Sequence, residues 1–261
     1  MTGTAPLRVG SYNLLDGGID HGDDSRLRRQ LRILSEQHLH VVGLQEAKNW
    51  GPQHLDMAAD ALHMTPYLAP SAHHGCHLVI LIDDERVTDV QERHESGFPY
   101  WHAVACLRTK IDGAPVDLLN THLAPSSPAI RRMEAEALRL FVKDRPMIAM
   151  GDWNAAALDD PALQTGTRDP LGRRKLDTDP ALALLEAGLM DAGMYMGDLT
   201  ATVGHTEGLA YRCDRIHTTH SRWIAGHDVI ATPESDHALV IASFNVTAGK
   251  DTIASPPRSL E

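Results

Sequence analysis

The chain has 261 residues, 43% of them hydrophobic, and its 24 basic and 35 acidic residues give a formal net charge of −11. This length and apolar content suit one large α/β domain. A negative net charge repels polyphosphates at long range, which argues against a protein that holds nucleic acid along a basic stripe. It does not exclude a metal-dependent phosphoesterase, because a bound metal supplies positive charge locally.

The sequence also gives expectations about the cellular location of the protein. No apolar run approaches the roughly 18 residues that a membrane-spanning helix needs, so we expect no membrane span. Residues 1–7 lack the basic start and apolar run of a secretory signal. Cys76, Cys106 and Cys213 are scattered and odd in number, which does not describe a disulfide framework. We therefore expect reduced thiols in a cytoplasmic protein.

The first half of the chain alternates short apolar runs with helical patterns. In chain order, the patterns predict the following elements: strand 8–15, helix 25–37, strand 41–45, helix 53–62 and strands 78–82, 87–92, 102–109 and 116–120. The first helix carries Leu27, Leu31 and Leu34 at helical spacing. Pro52 precedes the second helix, a position that favours a helix start.

The second half begins with a clear amphipathic helix over residues 128–142. Its predicted inward face consists of Ile130, Met133, Ala137, Leu138 and Phe141. The remaining predicted elements are strand 146–150, helix 180–187 and strands 215–219, 223–230 and 238–246. We expect residues 1–246 to form one domain, since no internal repeat or linker divides them. Residues 247–261 contain Gly249 and Pro256-Pro257, which predict a mobile C-terminal tail.

Strands outnumber helices in this pattern, and both hairpins and crossovers occur. That mixture predicts an α/β fold of two packed sheets with helices outside, rather than one doubly wound parallel sheet.

Polar residues recur where the predicted strands begin or end. The set consists of carboxylates, carboxamides and imidazoles: Asn13, Glu46, His122, Asp152, Asn154, Asp214, Asp236 and His237. Loops converge at strand ends, and binding or catalytic sites are usually built there. The pattern therefore predicts that these side chains share one site.

This set suits phosphoryl transfer. A hard cation such as Mg²⁺ needs only one or two carboxylate ligands, and Glu46 is the first candidate, with Asp236 and Asn13 nearby. Asp152 would orient a water molecule, and Asn154 would donate to a phosphoryl oxygen.

The imidazoles fit the same chemistry. An aspartate that holds a histidine fixes its tautomer, and Asp214 with His237 fits that role. His122 is a second imidazole that could contact the phosphate. If neutral His237 is a base, activity falls as the pH drops through its pKa, whereas activity falls as the pH rises if His237 acts as a cation. The sequence leaves both roles open.

Each motif also has an ordinary interpretation on its own. Gln45-Glu46 can be a solvated turn, Gly151–Asn154 an Asx-type turn, Ser235–His237 a cap or exposed loop, and His122 a core histidine. These interpretations weaken together, because the motifs follow one another in one order and each adjoins a predicted strand.

The ordered series of motifs resembles the endonuclease/exonuclease/phosphatase family, the deoxyribonuclease I-like metal-dependent phosphoesterases. The motifs are Ser11-Tyr12-Asn13, Leu44-Gln45-Glu46, Asn120-Thr121-His122-Leu123, Gly151-Asp152-Trp153-Asn154, Cys213-Asp214-Arg215-Ile216 and Ser235-Asp236-His237. The resemblance runs from residue 8 to residue 246. It implies a four-layer α/β/β/α sandwich of two mixed sheets with helices on the outer faces.

The resemblance also implies roles for the site residues. It places a divalent metal, Mg²⁺ with Mn²⁺ as a substitute, on Glu46 with support from Asn13 and Asp236. It implies catalytic roles for five further residues at the water and phosphate: Asp152, Asn154, Asp214, His237 and His122. Family members that cleave abasic sites often have an acidic residue two positions after the asparagine, where this chain has Leu15.

Candidate substrate-binding residues lie beside these motifs. Lys48 occupies a position that is often basic in nuclease members, although it could be an ordinary solvated lysine. The basic run Arg168, Arg173, Arg174 and Lys175 could hold a second phosphate or a nucleic-acid backbone, or it could be a solvated surface. His73, His74 and His77 could border the cleft or could form a polar strand entry, and their spacing does not suit a zinc site.

Three hypotheses for function follow. The first is a metal-dependent hydrolase that cleaves a phosphodiester, in nucleic acid or a nucleotide-like molecule, by in-line attack of an activated water. The second is a phosphomonoesterase or phosphodiesterase for a small molecule of a specialised pathway, which the acidic surface favours. The third is a binding module without activity, which the intact set of polar residues opposes.

Overall fold

The fold is built on two mixed β-sheets, and a computed structural model describes residues 5–71, 73–142 and 145–247. The strands are β1 Leu7–Asn13, β2 Val41–Lys48, β3 Thr65–Ala69, β4 Cys76–Ile82, β5 Val87–Glu92, β6 Glu95–Ser96, β7 Ala103–Ile111, β8 Ala114–His122, β9 Met147–Asp152, β10 Met190–Asp191, β11 Asp214–Thr218, β12 Ile224–Ile230 and β13 Leu239–Phe244. The predicted tail lies outside the described residues apart from its first residue.

Of the α-helices in the described residues, two lie between β1 and β3, one lies between β8 and β9, and four lie between β9 and β11. They are α1 Ser25–Ser35, α2 Pro52–Leu62, α3 Pro128–Leu138, α4 Ala162–Thr165, α5 Pro170–Lys175, α6 Asp179–Glu186 and α7 Ala192–Met196. Among the described residues, no helix is both long enough and apolar enough to span a bilayer.

The two sheets share one plan. The first has the order β12-β13-β1-β2-β4-β3, and the second has the order β10-β11-β9-β8-β7-β5, with β6 paired to β7. In each sheet one central pair is parallel, β1 with β2 and β8 with β9. The carboxyl ends of parallel neighbours meet at one edge of a sheet. The two pairs also meet each other, because Asn13 at the end of β1 donates to Asp152 at the end of β9.

Side chains alternate along each strand between the two faces of its sheet. On β4, Leu78 and Ile80 enter the core between the sheets, whereas Val79 and Leu81 pack in the cluster of α1 and α2. Helices α3 and α6 cover the outer face of the second sheet, where Leu184 joins the hydrophobic cluster. The predicted four-layer α/β/β/α sandwich is therefore confirmed.

The inward face of α3 differs from the prediction. Met133 is 40% exposed, whereas Arg131 and Glu134 are buried. Arg131 donates to the carbonyl of Ala124, and Glu134 accepts backbone N–H groups from Trp101 and Ala124. The prediction from apolar spacing was wrong here because these hydrogen bonds offset the cost of burying the polar groups.

Candidate active site

Asp152 lies at the centre of the gathered strand ends. It ends β9 and is only 1% exposed. Its Oδ2 accepts from Asn13 Nδ2 at 3.1 Å and lies 3.3 Å from His122 Nε2, and its Oδ1 accepts the backbone N–H of Asn154 at 2.8 Å. Three of the sequence motifs thus converge on one carboxylate.

The sequence around Asp152 explains its placement. A Cβ on Gly151 would lie 2.3 Å from the carbonyl oxygen of Thr121, so only glycine allows β9 to approach β8 so closely. Trp153 is fully buried and donates from Nε1 to the carbonyl of Arg215 at 3.1 Å. Asn154 follows with φ of 51°, a left-handed conformation that asparagine tolerates better than most residues.

Asp214 and His237 form a close pair beside Asp152. Asp214 lies opposite Asp152 in the β9–β11 register, and His237 Nδ1 is 2.9 Å from Asp214 Oδ2. This contact directs His237 Nε2 toward Asp152 Oδ2, at 3.8 Å. Burial disfavours the imidazolium, but the charges of Asp214 and Asp152 outweigh it and raise the pKa of His237 well above its ordinary value.

A second imidazole pair lies on the other side of Asp152. His102 stacks on His122 with ring centroids 4.4 Å apart and an interplanar angle of 19°. Burial and the charge of His122 lower the pKa of His102 to about 3, so its ring is neutral. Burial alone would lower the pKa of His122, but Asp152 outweighs burial and raises it. Burial would raise the pKa of Asp152, and His237 and His122 reverse that effect and lower it.

Glu46 lies on the more open side of the site. The register of β2 with β4 shifts between Leu44 and Ala47, and Glu46 adopts φ of 54° there. Such an irregularity redirects a side chain out of the ladder. The carboxylate of Glu46 accepts the backbone N–H of Asp16 at 3.0 Å and Asn13 Nδ2 at 3.3 Å. The bulge therefore turns Glu46 toward the other site residues.

Asn13 connects Glu46, on the open side of the site, with the buried Asp152. Its Oδ1 accepts the backbone N–H of Leu15 at 3.0 Å, which leaves Nδ2 facing the carboxylates of Glu46 and Asp152. In this arrangement Asn13 orients the two carboxylates, and its role as a metal ligand stays a prediction.

Asp236 reaches the same end of the molecule on the loop before β13. The hydroxyl of Ser235 donates to the carbonyl of Asn13 at 2.8 Å, which fixes this loop to the end of β1. The Asp236 side chain is exposed and forms no hydrogen bond or ion pair with the described residues. Its carboxylate is accessible to a ligand, and its metal-binding role also stays a prediction.

Lys175 belongs to the predicted basic run, but the sequence did not distinguish it from the arginines of that run. It ends α5, and its Nζ donates to Oδ1 of Asn154. Burial lowers the pKa of its ammonium group. Arg131, fully buried on α3, donates to the carbonyl of Arg174 and so holds the backbone beside Lys175. The sequence showed only a run of basic residues, and the backbone path decides which one enters the site.

The predicted substrate-binding arginines of this loop, Arg168, Arg173 and Arg174, are exposed. Their guanidinium groups form no hydrogen bond or ion pair with the described residues. Lys48 is paired instead of free, because its Nζ lies 2.5 Å from Asp16 Oδ1. Lys48 and Asp16 both line a cavity of about 440 Å³ beside Glu46.

Two residues of the sequence motifs stabilise the scaffold beneath the site. Gln45 Nε2 donates to Asn120 Oδ1 at 2.7 Å and to Ser11 Oγ at 3.2 Å. Asn120 Nδ2 donates to the carbonyls of Leu44 and Val79 at 2.9 and 3.0 Å. These bonds join the two sheets, so this part of the motif series positions the strand ends.

Two groups of side chains offer ligand atoms for a metal, and the chemistry of those atoms differs. Asp152, Cys213, Asp214 and His237 offer ligand atoms within 4.8 Å of one another. Burial raises the pKa of the Cys213 thiol to about 12, however, and Asp214 and His237 already bind each other. Glu46 offers the carboxylate oxygens that a hard cation prefers, at a half-buried position. Glu46 therefore fits Mg²⁺ better than the thiol-containing group does.

Comparisons with known proteins identify the family of the chain. The model of the endonuclease/exonuclease/phosphatase family matches residues 10–237. A search of curated proteins found no match.

Among solved structures, the chain is similar to D. rerio TDP2 complexed with a single-strand DNA product, with a TM-score of 0.70, 18% identity and coverage of 93% of this chain and 100% of that one. It is similar to an AP endonuclease from Archaeoglobus fulgidus, with a TM-score of 0.66, 18% identity and coverage of 92% and 100%. A mannosyl-6-phosphatase from Bacteroides thetaiotaomicron gives a TM-score of 0.65, 16% identity and coverage of 90% and 98%.

The TM-scores and coverages show a shared fold, and the family match over residues 10–237 shows membership. The chain belongs to the endonuclease/exonuclease/phosphatase family, as the order of its motifs predicted, and it is a phosphoester hydrolase.

Proposed function

We propose that the protein is a divalent-metal-dependent phosphodiesterase that acts on nucleic acid or a nucleotide-like substrate. The observation that carries this proposal is the convergence on Asp152 of Asn13, His122, Asn154 and His237, each from a different strand end or loop. Folding alone does not require such a set, because burying linked charges costs desolvation energy.

Glu46 would hold the metal, with Asp236 as the second carboxylate. Both belong to the open side of the site, where ligand atoms can be reached from solvent. Bound Mg²⁺ would supply positive charge to the phosphoryl oxygens and to the leaving oxygen. Mn²⁺ has the same preference for oxygen ligands and is expected to replace it.

Asp152 would orient the attacking water for in-line displacement. Its Oδ1 and Oδ2 are fixed by Asn154 and Asn13, so the carboxylate presents a defined direction for a water proton. Its lowered pKa keeps it ionised, which an acceptor of a water hydrogen bond requires.

The remaining polar groups would stabilise the charge on the transferring phosphate. His237 presents Nε2, because Asp214 occupies Nδ1. Lys175, whose Nζ donates to Oδ1 of Asn154, would be a second donor on the loop side. Preorganised donors of this kind stabilise a transition state at little reorganisation cost.

A substrate of nucleic-acid or nucleotide type is favoured by the likeness to D. rerio TDP2, a protein solved with a single-strand DNA product. A phosphate ester of a small molecule is the second candidate. The pairing of Lys48 with Asp16 and the net charge of −11 favour it, because both weaken attraction for a long polyanion. The likeness to a mannosyl-6-phosphatase points the same way.

The test is product release from supercoiled plasmid, soluble phosphodiesters and soluble phosphomonoesters with Mg²⁺, Mn²⁺ or chelator. We expect metal-dependent cleavage of diesters by the wild type and its loss in His237→Ala. Turnover of monoesters alone would support the second candidate. Activity that persists in chelator, or in His237→Ala, would contradict the proposal.

A further inference from the structure

Exposed aromatic rings lie beside the imidazole side of the site, on two segments that are distant in sequence. We propose that His73, His74 and Trp101 form a subsite, here called the ring ledge, that binds a planar ring attached to the substrate phosphate. The inference rests on the proposed phosphodiesterase activity and adds the substrate class that this site prefers.

The three rings lie against one another. The ring centroid of His73 is 4.6 Å from that of Trp101, at an interplanar angle of 30°, and the centroid of His74 is 6.0 Å from that of Trp101. Both histidines are exposed and Trp101 is half-buried. The ledge therefore presents ring surface to solvent at the entrance to β4.

Short contacts connect the ledge to the catalytic centre. Ser71 Oγ donates to the carbonyl of His73 at 2.9 Å and lies 3.3 Å from His102 Nδ1. His102 stacks on His122, and His122 Nε2 lies 3.3 Å from Asp152. These contacts place the ledge next to the imidazole pair, where an ester group on a phosphate at Asp152 could reach it.

Glu134 fixes the position of the ledge relative to the strand end that carries His122. Its carboxylate accepts the backbone N–H of Trp101 at 2.6 Å and that of Ala124 at 2.8 Å. Ala124 lies two residues after His122, so one buried carboxylate fixes both the ledge and the strand end that carries His122. A surface fixed in this way loses little freedom when a ligand binds.

The chemistry of the ledge selects a flat group. Imidazole and indole rings offer π faces on which a nucleobase or aryl ring stacks, and such stacking does not depend on the identity of the ring. The ledge thus favours an aryl or nucleoside phosphate over an alkyl or sugar phosphate of equal charge.

Inhibition constants test the ledge, because they do not depend on the leaving group of the substrate. The constants are measured for hydrolysis of bis-p-nitrophenyl phosphate with two matched pairs of inhibitors. One pair compares phenylphosphonate with methylphosphonate, and the other compares thymidine 5′-monophosphate with ribose 5-phosphate. We expect the ring-bearing member of at least one pair to bind about tenfold more tightly to the wild type. The pair that shows the preference identifies the ring as aryl or nucleobase.

Variants then assign the preference to the ledge. His73→Ala and Trp101→Ala should bring the ratio close to one, and Trp101→Phe should keep most of it. Tyr195→Ala removes an exposed aromatic residue of α7 and should leave the ratio unchanged. Equal inhibition by ring and non-ring members in the wild type, with hydrolysis intact, would overturn the ledge alone. Absence of metal-dependent hydrolysis would overturn the proposed function instead.

Discussion

The two sides of the site differ in how far the protein itself has organised them. On the buried side, Asp152, Asp214, His122 and His237 are connected by hydrogen bonds and close charge contacts among themselves. On the open side, Glu46 is half-buried and Asp236 is exposed. The difference teaches that folding alone fixes the groups on the buried side, whereas the proposed metal would complete the open side.

This comparison separates the consequences of substitution. A change on the buried side removes a partner from several charged groups at once, and effects on catalysis should be large. A change on the open side should alter the metal requirement and leave the fold intact.

Asp152→Asn should have the largest effect. The substitution keeps the shape of the side chain but removes the charge that faces His122 and His237 and that would orient the water in the proposed reaction. We expect kcat to fall about 10³-fold or more, measured in steady state with a soluble phosphodiester. A kcat within tenfold of the wild type would contradict the central position of this carboxylate.

Glu46→Gln should change the metal requirement. The loss of a carboxylate ligand should weaken apparent Mg²⁺ affinity about 10- to 100-fold, with activity partly restored at high Mg²⁺ and with Tm unchanged. The matched control is Glu36→Gln, an exposed glutamate at the end of α1. Identical Mg²⁺ titrations for Glu46→Gln and the wild type would exclude Glu46 as the ligand.

Lys175→Met should show which basic residue of the loop acts on the substrate. Because Lys175 contacts Asn154 and its neighbour Arg174 is exposed, we expect kcat to fall about tenfold for Lys175→Met and to stay within about twofold for Arg174→Met. Steady-state kinetics of both variants provide the measurement. A larger loss in Arg174→Met would show that the exposed arginines, and not Lys175, act on the substrate.

Glu134→Gln should alter the pH dependence of stability. Burial raises the pKa of Glu134 from 4.5 to about 7, so the folded state binds this proton more tightly than the unfolded state does. The stabilising effect of the proton is complete below pH 4.5 and is lost as the pH rises through about 7, which lowers the free energy of unfolding by about 3 kcal/mol at most.

Urea unfolding at pH 5 and pH 7.5 measures this effect. The wild type should lose more stability than Glu134→Gln over that interval, since other titrating groups contribute equally to both proteins. Equal changes would show that Glu134 is ionised throughout in the folded state.

Much of the fold was predictable because the strands that form the sheet centres are continuous apolar runs. The run that contains Ile80 is one example, and the polar residues that end such runs marked the site. Strand β3 was not predicted, because it includes Pro66 and pairs only with β4 at the sheet edge, where proline is tolerated.

The unpredicted parts of the site depend on long-range contacts. Met133 has the spacing of a core residue, yet Arg131 and Glu134 take the buried positions through hydrogen bonds to distant segments. Lys175 enters the site because α5 ends there, and the run of basic residues carries no signal for that geometry. The ring contacts of Trp101 likewise join segments that are separate in the sequence.

The most direct test of the central claim, that both sides act on one phosphate, compares kcat for Glu46→Gln, Asp152→Asn and the double variant on one phosphodiester at fixed Mg²⁺. Residues that act as a unit give strongly non-additive losses. We predict that the double variant falls within about tenfold of the slower single variant. Losses that multiply, or single variants that keep full turnover, would contradict a shared catalytic centre.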